Sequence, residues 1–234
     1  MSLKSTVGHI INDFLELISP SLIEGYVINS GIDHGLHITY YGERLVELPF
    51  VFRNIKKPPA SVLDIGCTES STPIQLAMMG YDVTGIDIRK LKYMHDNFKF
   101  IEADFINYNF RKRFDIVLAI SSIEHFGLAS YGTAKIDPDA DKKTIKKINS
   151  LLKSGGQFIF TAPFGIHTTI KNYERSYDSN DIKNLMEQFK IIDITFYKVC
   201  AHKAIKKITE DEAVRIKHEE YGEYAVVLIN SIKK

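Results

Sequence analysis

The sequence predicts an α/β fold built on one doubly wound, mostly parallel sheet of seven strands with helices on both faces. After residue 60, short apolar runs alternate with helical patterns, which is the order expected for a parallel sheet. The run Phe114 to Ile120 is almost entirely apolar, as expected for a central strand covered on both faces. Two last runs, at about 190–199 and 223–230, predict an antiparallel extension of the sheet.

The other predicted elements follow in a regular order. The remaining strands are expected at 62–65, 82–88, 98–102 and 157–162, and helices at 5–18, 41–54, 142–152 and 179–188. A helix after the first strand is predicted to begin at a capping box of Thr72 and Gln75, with Pro73 at its first position, and to end at Gly80. On helix 142–152 the apolar face is formed by Ile145, Ile148, Leu151 and Leu152, and the lysines at 142, 143, 146 and 147 face away.

Length and composition are those of one globular domain over residues 1–234. Pro58-Pro59 separates a core, 58–234, from residues 1–57, which we expect to be an N-terminal helical extension or a partial lid. The chain has 30 Lys and Arg against 29 Asp and Glu, which gives no reason to expect a nucleic-acid partner. Basic clusters at 111–113, 142–147 and 203–207 are interpreted as solvated turns and helix faces.

No apolar run is long enough for a transmembrane segment. The start of the chain, residues 1–19, has the pattern of an amphipathic helix rather than of a signal peptide. Cys67 and Cys200 make no disulfide framework. These observations together predict a cytoplasmic protein.

The segment from Val62 to Pro73 is the most informative, because a strand with the acid Asp64 leads through a glycine turn into a helix. Ligands of open α/β sheets bind at the carboxyl ends of the strands. A dinucleotide loop needs three glycines, but only Gly66 is present, and Glu69 would repel a pyrophosphate. S-adenosylmethionine carries a sulfonium, an ammonium and one carboxylate, so Asp64 and Glu69 favour it by Coulomb attraction.

Two further acids follow the next strands. Asp87 ends the second strand, 21 residues after Gly66, where an acid accepts the ribose hydroxyls of a nucleotide. Asp104 follows the third strand and is expected to accept from an adenine amine, with Phe105 beside the ring. Each acid alone is equally well explained as a capping or surface carboxylate, but three acids at successive strand ends favour a nucleoside-containing cofactor.

On these residues the chain resembles the class I S-adenosylmethionine-dependent methyltransferases. The segments that resemble their motifs, within residues 41–200, are VLDIGCTES, GIDI, FIEADF, FDIVLAISSIEHF and LLKSGGQFIFTAPFG. The resemblance is strongest to a group with Glu-Ser in the first motif and Ser-Ser-Ile-Glu-His-Phe-Gly-Leu after the fourth strand. Members of that group often accompany enzymes of surface-glycan and glycolipid biosynthesis.

The resemblance implies a Rossmann-like fold and S-adenosylmethionine as the cofactor. It also implies residues for each part of that cofactor. These are Asp64, Gly66, Cys67, Thr68 and Glu69 for the methionine portion, Asp87 and Ile88 for the ribose, Asp104 and Phe105 for the adenine, and Ile120 to Ser122 beneath the sulfonium.

Methyl transfer to a hydroxyl requires a base beside the acceptor. His125 follows the fourth strand, and the ordinary pKa of histidine, near 6.5, suits this work; the alternative is a histidine held by backbone groups for structural reasons. Glu124 is the second candidate, as the base or as the partner that orients His125, and its alternative is a carboxylate at the start of a helix.

Further acceptor-side candidates lie in the loops at the same end of the sheet. They are His34, His37, Tyr131, His167, Tyr173, Glu174 and Arg175, and a guanidinium such as that of Arg175 suits an acidic sugar or a phosphate. No histidine pair has metal-ligand spacing on an evident helix, so no metal is predicted. Cys67 is interpreted as a small residue that fits a tight turn, because nothing in the sequence lowers its pKa.

The predicted function is therefore methyl transfer to a small-molecule acceptor, specifically a hydroxyl of a sugar or glycolipid intermediate, by a protein for which a homodimer is left open. An RNA or protein methyltransferase is the first alternative. The near-neutral charge and the absence of an Asn/Asp-Pro-Pro-Tyr/Phe signature at 120–123 argue against RNA. A non-catalytic interaction subunit of the same fold is disfavoured by the three retained acids, and a nicotinamide dehydrogenase by the chemistry of the loop.

Overall fold

The structure is a computed structural model that describes residues 42–132, 136–200, 204–218 and 222–234. Its strands are β1 Ser61–Ile65, β2 Asp82–Asp87, β3 Phe98–Glu102, β4 Phe114–Ile120, β5 Leu152–Phe164, β6 Thr168–Ile170, β7 Glu174–Ser176, β8 Phe189–Cys200, β9 Ala204–Ile208 and β10 Glu223–Lys233. Its α-helices are α1 Arg44–Asn54, α2 Thr72–Met78, α3 Ala140–Leu151, α4 Ser179–Leu185 and α5 Glu210–Ala213. Short 3₁₀ turns span Ile123–His125 and Ser130–Gly132.

Eight of the described strands form one sheet in the order β3-β2-β1-β4-β5-β10-β8-β9. The first five in this order pair in parallel, whereas β10 is antiparallel to both β5 and β8, and β9 is antiparallel to β8. This confirms the mostly parallel sheet and its antiparallel extension. Strands β6 and β7 form a separate hairpin.

The predicted number of seven strands was wrong, because β9 adds an eighth strand at the edge. Its register pairs Lys206 with Lys198 and Lys207 with Tyr197. The lysines in this segment suggested a solvated turn or helix face. Lysine is, however, also a residue that protects an exposed sheet edge from pairing with another chain, and an edge strand explains the segment better.

The sheet is covered by helices on both faces, as predicted. Side chains alternate between the faces of a strand, so Val62 of β1 and Leu118 of β4 pack with α1 and α2 in one apolar cluster. Leu63 and Val117 point the other way and pack in a second cluster with residues of α3, α4 and α5. The carboxyl ends of β1 to β5 lie at one edge of this three-layer arrangement.

Helix α3 buries the predicted apolar residues Ile145, Ile148 and Leu151, but Lys147 does not face away. Its ammonium donates to the backbone carbonyls of Phe105 at 2.8 Å, Ile106 at 2.9 Å and Tyr108 at 2.6 Å. A lysine can bury its aliphatic stem and still place its charge on polar groups. Lys147 therefore ties the loop after β3 to α3.

Helix α2 begins differently from the prediction. Thr72 is its first helical residue rather than the residue before it, and the predicted capping box with Gln75 is not formed. The Thr72 hydroxyl instead pairs with the Ser70 hydroxyl at 2.6 Å, and the Thr72 amide donates to the same oxygen. Gly80, with φ of +90°, follows the end of the helix as predicted.

Helix α1 corresponds to the helix predicted at 41–54 and packs against the sheet through Phe50 and Val51, and Ile55, the residue after the helix, joins the same cluster. The helix predicted at 5–18 and the candidates His34 and His37 lie outside the described residues. The interpretation of 1–57 as an extension or lid therefore stays a prediction. None of the helices described here has the length and apolar character needed to cross a membrane.

Candidate functional site

The candidate site lies where β1 stands between β2 and β4, at the point where the strand order reverses. Crevices at such points bind ligands in open α/β sheets. The loop after β1 contacts β2 there, because the Gly66 amide donates to the Ile86 carbonyl at 2.8 Å and the Thr68 amide donates to the Asp87 carboxylate at 3.0 Å. On the other side, Gly66 lies against Ser122 in the turn after β4. The structure thus brings the predicted residues of the first, second and fourth motifs together.

Gly66 makes this close approach feasible. Its φ is +73°, and a Cβ atom built on it would lie 2.6 Å from the Cβ of Ser122. Any other residue would both strain the backbone and overlap the turn after β4. The glycine therefore sets the spacing between the loops after β1 and β4.

Cys67 is buried, and its Sγ lies 2.6 Å from where a Cβ of Gly85 would be. Burial raises the pKa of the Cys67 thiol well above its ordinary value, and the charges of Asp64 and Asp87 add to the rise. A thiol held in its neutral form is a poor nucleophile. The geometry agrees with a packing role for Cys67 against the neighbouring strand.

Asp87 is buried and accepts four hydrogen bonds. Besides the Thr68 amide, its donors are the Arg89 amide at 3.0 Å and two guanidinium nitrogens of Arg89 at 3.1 Å. Burial alone would raise the pKa of Asp87, but the hydrogen bonds and charge of Arg89 hold that pKa below its ordinary value. Asp87 is thus an ionised, strong acceptor at neutral pH.

Arg89 was missed by the sequence reasoning, although it stands only two residues after Asp87. Its guanidinium also pairs with Glu69 and lies 4.2 Å above the ring of Tyr131. The charge of Glu69 is therefore compensated by Arg89 within the protein. Arg89 links the loop after β2 to the aromatic residues on the acceptor side.

The loop after β3 places its two candidates in different surroundings. Asp104 is exposed and accepts from the Ile106 amide at 2.8 Å and from the Asn107 side chain, which is an Asx turn. The Phe105 ring is 3% exposed and packs in the core against Phe110 and Phe126. Asp104 is therefore accessible to a ligand, whereas the Phe105 ring belongs to the core.

Two buried acids give the site its electrostatic character. Asp64 is 2% exposed and Glu124 is 1% exposed. Burial raises the pKa of Asp64 to about 7, with Asp87 adding to the rise and Arg44 opposing it. Burial likewise raises the pKa of Glu124 well above its ordinary value. Both carboxyls therefore tend to hold a proton when no cation is near.

Four buried polar atoms in this part of the protein have no hydrogen-bond partner. They are Asp64 Oδ2, Thr68 Oγ1, Ser122 Oγ and Glu124 Oε2. A buried polar atom left unsatisfied costs about 1–3 kcal/mol, so native proteins seldom leave several together unless a ligand or water completes them. Their grouping on β1 and on the loops after β1 and β4 makes this edge of the sheet the candidate binding site.

His125 is held by the backbone and still presents one free ring nitrogen. Its Nδ1 lies 2.8 Å from the Tyr173 carbonyl, and because a carbonyl can only accept, Nδ1 carries the proton and Nε2 presents a lone pair. Nε2 lies 3.9 Å from Glu124 Oε1, which is beyond hydrogen-bond distance. Burial lowers the pKa of His125 below its usual value, which keeps the ring neutral.

Two tyrosines surround His125. The ring centroids of Tyr131 and Tyr173 lie 5.2 Å and 4.8 Å from that of His125, and the two hydroxyls are 3.0 Å apart. The tyrosines are 38% and 43% exposed. They form a half-open aromatic surface beside the free nitrogen.

The other acceptor-side candidates do not join this group. Arg175 is buried and donates to the carbonyls of Glu124 at 3.2 Å and Phe126 at 2.7 Å. The prediction that Arg175 is available to bind an acidic sugar or a phosphate was therefore wrong. His167 pairs with Asp181 at 2.6 Å at an exposed position. In the described ranges, no group of three or more His, Cys, Asp or Glu side chains is arranged to hold a metal ion.

Helix α1 adds two residues that the sequence reasoning missed. Arg44 donates to the Glu47 carboxylate at 2.7 Å and to the Ile120 carbonyl at 3.2 Å. Glu47 in turn accepts from the hydroxyls of Ser121 and Thr161. The end of β4, predicted to lie beneath the sulfonium, is thus bound to α1.

A protein-family model described as "Caenorhabditis protein of unknown function, DUF268" matches residues 76–230. No curated protein matches the sequence. Solved structures that resemble the chain include the 1,6-didemethyltoxoflavin-N1-methyltransferase of Burkholderia thailandensis, with bound S-adenosylhomocysteine (TM-score 0.56, 14% identity, 100% of this chain and 91% of that chain). Another is the N-methyltransferase NodS of Bradyrhizobium japonicum, also with S-adenosylhomocysteine (TM-score 0.54, 13% identity, 82% of this chain and 87% of that chain).

The cyclase SpnF is a further similar structure (TM-score 0.59, 15% identity, 89% of this chain and 92% of that chain). At these identities the similarity shows the fold, which is the α/β Rossmann-like fold of S-adenosylmethionine-dependent methyltransferases. Because a cyclase shares that fold, the reaction has to be argued from the site.

Proposed function

The chain belongs to the DUF268 family, and we propose that it is an S-adenosylmethionine-dependent methyltransferase acting on a small-molecule acceptor. The proposed acceptor group is a hydroxyl of a sugar or glycolipid intermediate. The observation that carries the proposal is the set of unsatisfied buried oxygens around Asp64 and Glu124 at the carboxyl end of the parallel strands. Asp64 and Glu124 each have one buried carboxyl oxygen that accepts no hydrogen bond. Such a pair suits a ligand with positive charge.

S-adenosylmethionine fits these groups better than a dinucleotide does. Its ammonium and sulfonium offset the burial of Asp64 and Glu124 by Coulomb attraction, whereas a pyrophosphate would be repelled. The residues proposed to hold the methionine portion are Asp64, Gly66, Cys67, Thr68 and Glu69. When bound, the cofactor supplies an electrophilic methyl group.

The ribose is proposed to bind Asp87 next to Ile88, and the adenine to bind near Asp104 and Phe105. The low pKa of Asp87 favours this role, because an ionised carboxylate accepts strongly from hydroxyls. The ribose hydroxyls would replace the Arg89 guanidinium as donors to the Asp87 carboxylate. Ile120 and Ser121 are proposed to lie beneath the sulfonium.

His125 is proposed to be the general base, with Nε2 taking the proton of the acceptor hydroxyl as its oxygen receives the methyl group. The hydrogen bond from Nδ1 to the Tyr173 carbonyl supports this role, because it fixes the tautomer that leaves Nε2 as an acceptor. Glu124 is proposed as the neighbouring acid that stabilises the imidazolium formed in the reaction. Tyr131 and Tyr173 offer the acceptor both aromatic surface and hydroxyl groups.

The proposed cofactor is tested first by a thermal-shift titration of the purified protein with S-adenosylmethionine, S-adenosylhomocysteine and NAD. A ligand at 100 times its Kd stabilises the folded state by about 2.7 kcal/mol, which is a readily visible shift. We expect shifts with the first two ligands only. A shift with NAD alone would point to a dehydrogenase, and no shift with any ligand would favour a non-catalytic interaction subunit.

The proposed base is tested by His125→Ala, followed with sugar and glycolipid acceptors and with amines for comparison. We expect turnover to fall roughly a hundredfold or more, because general base catalysis contributes about 10²–10⁴-fold, while the Kd of S-adenosylhomocysteine changes little. The matched control is His167→Ala, which removes an exposed histidine that pairs with Asp181. Full activity of His125→Ala would exclude His125 as the base.

A further inference from the structure

The residue that follows β4 has an unusual backbone conformation. Ser121 has a φ of +41°, a left-handed conformation that is unfavourable for L-amino acids other than glycine. Such conformations persist when surrounding contacts hold them, and they cluster at functional sites. The contacts that hold Ser121 therefore bear on the site.

Those contacts converge on Glu47. The Ser121 hydroxyl donates to Glu47 Oε1 at 2.6 Å, and the Thr161 hydroxyl donates to the same oxygen at 2.5 Å. The Ser121 amide donates to Thr161 Oγ1 at 2.9 Å. Glu47 thus holds the side chain of Ser121 directly. It holds the backbone of Ser121 indirectly, through Thr161.

Glu47 is itself fixed. It is fully buried on α1, and its second oxygen accepts from Arg44 at 2.7 Å. The Arg44 guanidinium also donates to the carbonyl of Ile120, the residue before Ser121. The charged Arg44 guanidinium is the donor in both hydrogen bonds, and a hydrogen bond with a charged partner is stronger than a neutral one.

The conformation of Ser121 determines where the following residues lie. Ser122 comes next and packs against Gly66. Gly66 lies in the loop after β1, residues 66–71, which we call the cofactor loop. The 3₁₀ turn Ile123–His125 then carries Glu124 and His125. An extended conformation at Ser121 would send this turn in another direction and carry Glu124 and His125 away from the loop after β1.

We propose that Glu47 is a positioning residue that holds Ser121 in its left-handed conformation and so aims the turn after β4 at the bound cofactor. This inference rests on the proposed function for the identity of the ligand. It assigns a role in the site to α1, which lies outside the motifs that resemble the methyltransferases.

Four variants test the inference through the Kd of S-adenosylhomocysteine, measured by titration calorimetry. Glu47→Met and Ser121→Ala both remove the hydrogen bond and leave a residue that resists positive φ, so each is expected to raise the Kd about tenfold. Ser121→Gly also removes the hydroxyl, but glycine adopts this φ freely. Because both serine variants lack the hydroxyl, Ser121→Gly is expected to bind about threefold or more tightly than Ser121→Ala, and the Glu47→Met/Ser121→Gly double variant about threefold or more tightly than Glu47→Met.

Val51→Ala is the matched control, because Val51 is also buried on α1 but packs in the apolar cluster. It should lower the unfolding midpoint and leave the Kd unchanged. A Kd for Ser121→Gly as high as that for Ser121→Ala would overturn the inference, since the hydroxyl itself would then matter. Failure of Ser121→Gly to restore binding in Glu47→Met would overturn it as well.

A second measurement separates this inference from the proposed function. If the wild-type protein does not bind S-adenosylhomocysteine, the proposed function fails, and urea unfolding of the same Glu47 and Ser121 variants still tests the contact. Ser121→Gly should raise the unfolding midpoint more in the Glu47→Met background than in wild type. Equal effects in the two backgrounds would mean that Glu47 does not hold Ser121.

Discussion

Replacing Asp64 by asparagine is expected to abolish most of the rise in S-adenosylmethionine affinity between pH 5.5 and 7.5. The pKa of Asp64 is raised to about 7 by burial, so the wild-type carboxyl gains its negative charge within this range. A cationic ligand binds the ionised form better, and the affinity should increase with pH. Asparagine has a similar shape but no charge, so this dependence is lost. Calorimetric titrations at several pH values measure this dependence, and an α-amino group stays mostly protonated over the same range.

The same substitution is expected to change the pH dependence of stability in the absence of ligand. The folded-state pKa of Asp64, about 7, lies above the ordinary value near 3.9. Between these values the folded state retains a proton that the unfolded state has released, so this contribution to stability is complete at low pH and decreases as the pH rises to 7. The full loss is about 4 kcal/mol. Urea unfolding of wild type and Asp64→Asn across this interval measures the difference.

Asp115→Asn is the control for both experiments. The pKa of Asp115 is about 2, because its hydrogen bonds to Lys153 and Ser61 outweigh the effect of burial, so Asp115 stays ionised throughout the window. Its removal should leave both slopes unchanged above about pH 5.5, where Asp115 is ionised in the folded and the unfolded protein alike. If Asp64→Asn keeps the wild-type slopes, Asp64 does not titrate between pH 5.5 and 7.5, and its ionisation does not cause the rise in affinity.

The strand ends were predictable from the sequence because order along the chain determines them in a parallel sheet. Once β1, β2 and β4 were recognised as apolar runs, Asp64, Asp87 and Ser121 had to lie near one edge. The glycine turn at Gly66 was equally local, since positive φ favours glycine. These predictions needed no knowledge of side-chain contacts.

The contacts between distant segments were not predictable in the same way. Arg44 and Glu47 read as two charges on an amphipathic helix, and nothing local indicates that Glu47 points inward to Ser121 and Thr161. Arg175 shows the reverse error: it was expected to bind a ligand, but the turn after β4 provides backbone carbonyls that take its donors. A charged side chain is buried only when a particular partner is present, and the sequence does not name that partner.

The largest expected loss of stability in the cofactor loop is that of Gly66→Ala. Alanine at a φ of +73° costs about 1–2 kcal/mol, and the new Cβ would lie 2.6 Å from the Ser122 Cβ. Relieving such an overlap within a packed region costs typically about 1–3 kcal/mol more. We therefore expect the free energy of unfolding to fall by about 2–5 kcal/mol in urea titrations. The Kd of S-adenosylhomocysteine should rise as well, because the loops after β1 and β4 are forced apart.

Gly155→Ala separates the two causes. Gly155 has a φ of +63°, and a Cβ atom there would meet nothing within 4 Å, so alanine at this position carries the backbone strain alone. It should cost about 1–2 kcal/mol and leave the Kd unchanged. If Gly66→Ala loses no more stability than Gly155→Ala, the contact with Ser122 is easily relaxed and the glycine is required only by the turn. A larger loss with weaker binding means that the distance between the two loops is itself part of the site.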